Sequence, residues 1–133
     1  MARFFNTTGP CRPDDHYMLP PLPRLPMVRD LIERKANFVL HAPRQSGKTT
    51  VLLSLAQALT AEGRYAAVLL SLEVGDPFTD DVGAAEDAIL SSWRLACKHW
   101  LPTALQPPPW PSTEPGSAIL VALQAWSRAR TVP

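Results

Sequence analysis

Two short apolar runs, Asn37–His41 and Tyr65–Leu72, constrain this chain more than any other feature. The first has a β-preferring core, the second is almost continuously apolar, and neither is long enough for a helix of ordinary length. Between them Val51, Leu52, Leu55, Ala56 and Leu59 recur at helical spacing, which predicts a helix over Lys48–Ala61 with Gly63 as its stop. Strand, helix and strand with a connection of this length read as a βαβ unit, parallel and right-handed. A near-continuous run such as Tyr65–Leu72 suits a strand covered on both faces. The expected fold class is therefore α/β: a parallel sheet with flanking helices.

Further elements follow from punctuation. Residues 1–26 read as an extended arm, since the run Pro20-Pro21-Leu22-Pro23-Arg24-Leu25-Pro26 favours polyproline II. Residues 27–133 form the domain proper. Val28, Leu31 and Ile32 share one face of a short helix from Met27 to Arg34. Thr79, Asp80 and Asp81 offer caps for a long helix reaching about Leu101, with Ala85, Ile89, Trp93, Ala96 and Trp100 as its buried stripe. Pro107-Pro108-Pro109-Trp110-Pro111 centres a second proline-rich loop. Ser117 can cap a last helix to about Ala129, with Ile119, Leu120, Leu123 and Trp126 on one face.

Between the first run and the helix lies Ala42-Pro43-Arg44-Gln45-Ser46-Gly47-Lys48-Thr49-Thr50. It fits the phosphate-binding pattern G-x-x-x-x-G-K-S/T, with Ala42 in place of the first glycine. Such a loop wraps an anion with successive backbone N–H groups, and Gly47 supplies the backbone freedom for the turn. A helix starting beside it directs its N–H groups and dipole at the same anion. Lys48 places a cation between the β- and γ-phosphates, and the Thr49 hydroxyl is the candidate Mg²⁺ ligand. The expected ligands are ATP and Mg²⁺, bound by all nine residues Ala42–Thr50. No guanine-reading N-K-x-D motif is present.

These segments together resemble the bacterial AAA-like family of P-loop ATPases, related to the AAA+ and STAND groups. The resemblance is carried by Phe5-Asn6-Thr7-x-Gly9-Pro10-Cys11, by His16-Tyr17-Met18-Leu19-Pro20 and by Phe38 to Thr50. Asp81-Val82-Gly83-Ala84-Ala85-Glu86 and Pro108-Pro109-Trp110-Pro111 extend it over nearly the whole chain. It implies a P-loop NTPase-like parallel sheet, and an incomplete one. The family's second acidic motif, an apolar strand ending in Asp-Glu, has no counterpart, and the lid and arginine finger are missing. The resemblance also suggests that Tyr17 packs on the base, although the favoured reading is that Tyr17 pins the arm to the core. The reading is an ATP-binding module whose hydrolysis requires downstream residues, with no catalytic residue assigned here. The alternative is a non-catalytic fragment acting through protein–protein contacts. A P-loop kinase ranks last, because no Arg-rich loop follows Leu72.

Composition narrows the partners. A net charge of +1 gives no electrostatic footprint for nucleic acid. No stretch is long and apolar enough to span a membrane. Two distant cysteines, Cys11 and Cys97, fit reduced thiols in a cytoplasmic protein. Self-association, or packing against a downstream domain of a longer chain, is the partner expectation. Glu73, Asp76, Asp80, Asp81, Glu86 and Asp87 read as a solvated acidic face, with Glu73 alone near the expected crevice. The four tryptophans read as core.

Overall fold

The computed structural model describes residues 5, 12, 14–17, 26–44 and 46–129. Most of the proline-rich arm, Cys11, Gln45 and the last four residues lie outside the described residues. The described residues contain four α-helices: α1 (Pro26–Glu33), α2 (Lys48–Ala61), α3 (Val82–Trp100) and α4 (Ala118–Arg128). Two 3-10 turns, Glu73–Phe78 and Thr103–Leu105, complete the regular structure. None of the helices is long and apolar enough to cross a membrane. The chain divides into two compact units, Met1–Ala58 and Leu59–Pro133.

The expected α/β class is overturned. The described residues are largely helical and hold no sheet; an isolated bridge at His16 is the only ladder-type pairing among them. Residues 37–41 form no strand or other regular structure, and Val39 is 91% exposed. Tyr65–Leu72 also forms no strand, Leu72 lies in the helical region of backbone space at φ −102°, and some of the run's polar groups bond to side chains. Thr60 Oγ1 accepts from Ala67 N–H at 3.0 Å and donates to Ala67 O at 3.1 Å. The Trp93 indole N–H donates to Ser71 O at 2.8 Å. A β-rich run becomes a strand only when another strand meets its backbone, and two isolated runs are below the number that makes a stable sheet.

In the first unit, α1 buries Val28 and half-buries Leu31 and Ile32, the stripe expected from spacing. It closes with Ala36 N–H donating to Leu31 O and Lys35 N–H to Ile32 O, each at 2.9 Å. This is the pattern of a Schellman stop, with Lys35 at φ 55° where glycine is usual. The chain then runs without regular structure to Pro43.

In the second unit, Gly63 at φ 77° stops α2, its N–H bonded to Thr60 O at 3.1 Å. Asp81 caps α3 by accepting from Ala84 N–H at 2.9 Å. Ile89, Leu90, Trp93 and Ala122 form the core, flanked by Leu70, Trp110, Ala118 and Ile119. The buried stripe of α3 is Glu86, Ile89, Leu90, Trp93 and Cys97. This corrects the expected stripe, since Trp100 is 41% exposed. On α4 the buried residue is Ala122, whereas Leu120 and Leu123 face outward. A side chain at Gly75 would place its Cβ 2.8 Å from Ile89 Cδ1, so the Ile89 side chain would have to shift to admit one.

Three indole N–H groups tie loops to this core, as buried tryptophans require. Besides Trp93, Trp110 donates to Leu90 O at 3.0 Å and Trp126 to Leu105 O at 3.3 Å. The two rings meet at 6.2 Å. Burial pushes the thiol of Cys97 up from its ordinary value. It is a structural cysteine held in its neutral form.

Candidate phosphate-binding loop

The irregular segment after α1 delivers Ala42 and Pro43 to a turn that feeds directly into α2. Gly47 takes φ 83°, in the left-handed region, and its carbonyl accepts the first bond of the α2 ladder from Val51 N–H at 3.0 Å. The N–H groups of Lys48, Thr49 and Thr50 therefore fall ahead of the ladder. No acidic residue stands in the first turn of α2. The positive end of the helix dipole is thus not neutralised by its own sequence.

Lys48 folds back over the loop. Its Nζ donates to Ala42 O and, at 3.0 Å, to Pro43 O. Pro43 O also accepts from Ser46 Oγ at 2.7 Å. A carbonyl has two lone pairs, and both donors are accommodated. The ammonium is thereby held inside the turn between Ala42 and Lys48. Neutral carbonyls are weaker partners than a phosphate oxygen, so an arriving anion has a cation to draw on. Gly47, Lys48 and Thr50 are half-buried, and Arg44, Ser46 and Thr49 are exposed.

The nine expected site residues occupy one continuous turn and helix start, except that Gln45 lies outside the described residues. Glu73 opens the first 3-10 turn of the second unit, exposed, with its N–H bonded to Ser71 Oγ at 3.2 Å. An open apolar groove in the second unit is lined by Ala66, Leu123, Trp126 and Ser127 and shares no residue with the loop.

Of the groups Mg·ATP needs, the loop has a lysine, a glycine turn, a helix start and the Thr49 hydroxyl at the surface. Magnesium keeps most of its water and leans on the phosphates, so a single protein hydroxyl is an adequate donor. No cluster of three or more His, Cys, Asp or Glu suited to a metal occurs among the described residues. Comparisons with protein-family models, curated proteins and solved structures return no match.

The residue that sequence reasoning missed is Glu86, taken as part of a solvated face. It is 7% exposed, and its carboxylate accepts from Gly116 N–H at 2.7 Å and Ile119 N–H at 3.4 Å. The signal was its register: it sits on the stripe of Ile89, Leu90, Trp93 and Cys97.

Proposed function

We propose that this chain is a cytoplasmic ATP-binding module related to the AAA-like ATPases, holding Mg·ATP through Ala42–Thr50. The observation that carries this reading is the Lys48 ammonium, bonded to Ala42 O and Pro43 O at the mouth of an acid-free helix start. Backbone N–H groups of Gly47 to Thr50 would meet the phosphates, with Lys48 beside them. Thr49 Oγ1 would donate a lone pair to Mg²⁺. The metal, when bound, neutralises phosphate charge. Free Cys97 fits a reducing compartment.

The metal assignment is tested at Thr49. Thr49→Ala should weaken ATP binding when Mg²⁺ is present and leave it nearly unchanged in EDTA. Calorimetric titrations in the two buffers read the difference. Equal losses in both would mean that the substitution disturbs the loop and that Thr49 holds no metal.

Turnover is a separate matter. Attack on the γ-phosphate needs a group to position water. No acidic residue occurs from Asn37 to Ala61. The purified chain should therefore bind ATP without releasing phosphate above background. A phosphate-release assay that showed turnover lost in Lys48→Ala would contradict this.

A further inference from the structure

Between the second 3-10 turn and α4 the sequence Gln106-Pro107-Pro108-Pro109-Trp110-Pro111 leaves its own backbone little freedom. Each proline fixes its φ and drives the residue ahead of it to extended or polyproline II backbone. Gln106 takes φ −71° and ψ 149°, the polyproline II values. A helix of that kind has three residues per turn and no hydrogen bonds of its own. Correspondingly, the backbone of residues 107–113 makes no hydrogen bond among the described residues.

The segment is tied to the rest of the second unit before, within and after the prolines. Gln106 Nε2 donates to Leu101 O at 3.1 Å, the Trp110 indole N–H to Leu90 O at 3.0 Å, and Gly116 N–H to the Glu86 carboxylate at 2.7 Å. At three residues per turn Pro107 and Trp110 share one edge, and both are half-buried. Pro108 and Pro111 share a second edge, Pro109 and Ser112 the third. Of these, Pro109, Pro111 and Ser112 are exposed. Proline has no N–H, so the outward edges offer carbonyl acceptors with few donors among them. Their complement is a groove of flat aromatic rings that carries indole N–H or phenol O–H donors.

A cation stands beside these edges. Arg94 is exposed, its guanidinium carbon lies 5.5 Å from the Trp110 ring centroid, and no described carboxylate pairs with it. Glu114 lies past the prolines, in the turn that Ser117 N–H closes on Glu114 O at 3.2 Å. We propose that residues 106–112 are the docking segment for a protein module of SH3 type. One aromatic pocket takes Pro108-Pro109, the next takes Pro111-Ser112, and a carboxylate at the rim of the groove pairs with Arg94. Because the segment is held in place before it binds, little ordering entropy is lost on docking. A groove that needed the Trp110 ring as well would find its indole already turned to Leu90 O. The segment shares no residue with the phosphate-binding loop and lies in the other unit from Ala42–Thr50.

The test is calorimetric titration of the whole chain into purified SH3 domains that together accept both ligand orientations, with a WW domain and an EVH1 domain as comparison probes. The expected result is one-to-one binding to at least one SH3 domain, weakened as salt screens the Arg94 pairing, and at least tenfold weaker binding to the other two probes. Pro109→Ala with Pro111→Ala should lower the SH3 affinity at least tenfold, with helical circular dichroism and tryptophan fluorescence unchanged at the titration temperature. Arg94→Gln leaves the prolines intact and should lower the affinity and remove most of its salt dependence. No binding to any of the SH3 domains, tighter binding to the WW or EVH1 domain, or wild-type affinity in either variant would each overturn the proposal. So would a loss of binding in the proline variant that comes with altered spectra, if Arg94→Gln then binds as the wild type does.

Discussion

Lys48→Ala should lower the affinity for ATP at least tenfold, equivalent to about 1.4 kcal/mol or more. The ammonium rests on two neutral carbonyls, Ala42 O and Pro43 O. Moving to a phosphate exchanges neutral acceptors for an anion, which adds the attraction between opposite charges to each bond. Alanine removes that gain and leaves the dipole and N–H groups of α2 in place, so binding is weakened and not abolished. The lysine also braces the loop, so circular dichroism must show that α2 survives the change. Lys48→Arg is a useful companion. Its planar fork does not reproduce a compact point charge, and it should recover only part of the affinity. Titration calorimetry reads all three proteins. If the wild-type chain binds no ATP, the proposed function fails; if Lys48→Ala binds as the wild type does, only the role of Lys48 fails.

Much of the helical framework was legible in the sequence. The apolar spacing of Val51, Leu55 and Leu59 and the glycine at position 63 place α2 at Lys48–Ala61, as observed. Asp81 marks the start of α3 because a short acidic side chain ahead of an apolar stripe satisfies an otherwise unpaired N–H. What failed was the step from apolar run to strand. Phe38-Val39-Leu40 and Val68-Leu69-Leu70 have the composition of buried strands, but composition says nothing about whether another strand stands beside them. Thr60 and Trp93 satisfy part of the second run with side-chain bonds that no periodicity announces. The turn ahead of α2 could be located because its pattern is local, all within nine consecutive residues. The fold around it could not, because sheet pairing is a long-range property.

Glu86→Ala should destabilise the second unit by about 2–3 kcal/mol, the cost expected for leaving buried donors without an acceptor and removing a helix cap. Helix α4 begins at Ala118, and its capping residue Ser117 makes no side-chain cap bond. The acceptor comes instead from α3: Glu86 takes the N–H groups of Gly116 and Ile119, one on each oxygen. The carboxylate therefore fills the role of a local cap and adds a negative charge at the positive end of α4. It also joins two helices more than thirty residues apart. Glu86→Gln keeps an acceptor but loses the charge, and should cost about 1 kcal/mol. Glu86→Ala loses both. All four tryptophans lie in the second unit, so their fluorescence during urea unfolding follows that unit alone. The midpoint should fall in the order wild type, Gln, Ala, with the slope unchanged. A midpoint for Glu86→Ala within error of the wild type would mean that Gly116 and Ile119 find water as readily as the carboxylate. In that case the burial of Glu86 would be incidental to how α3 and α4 are held together.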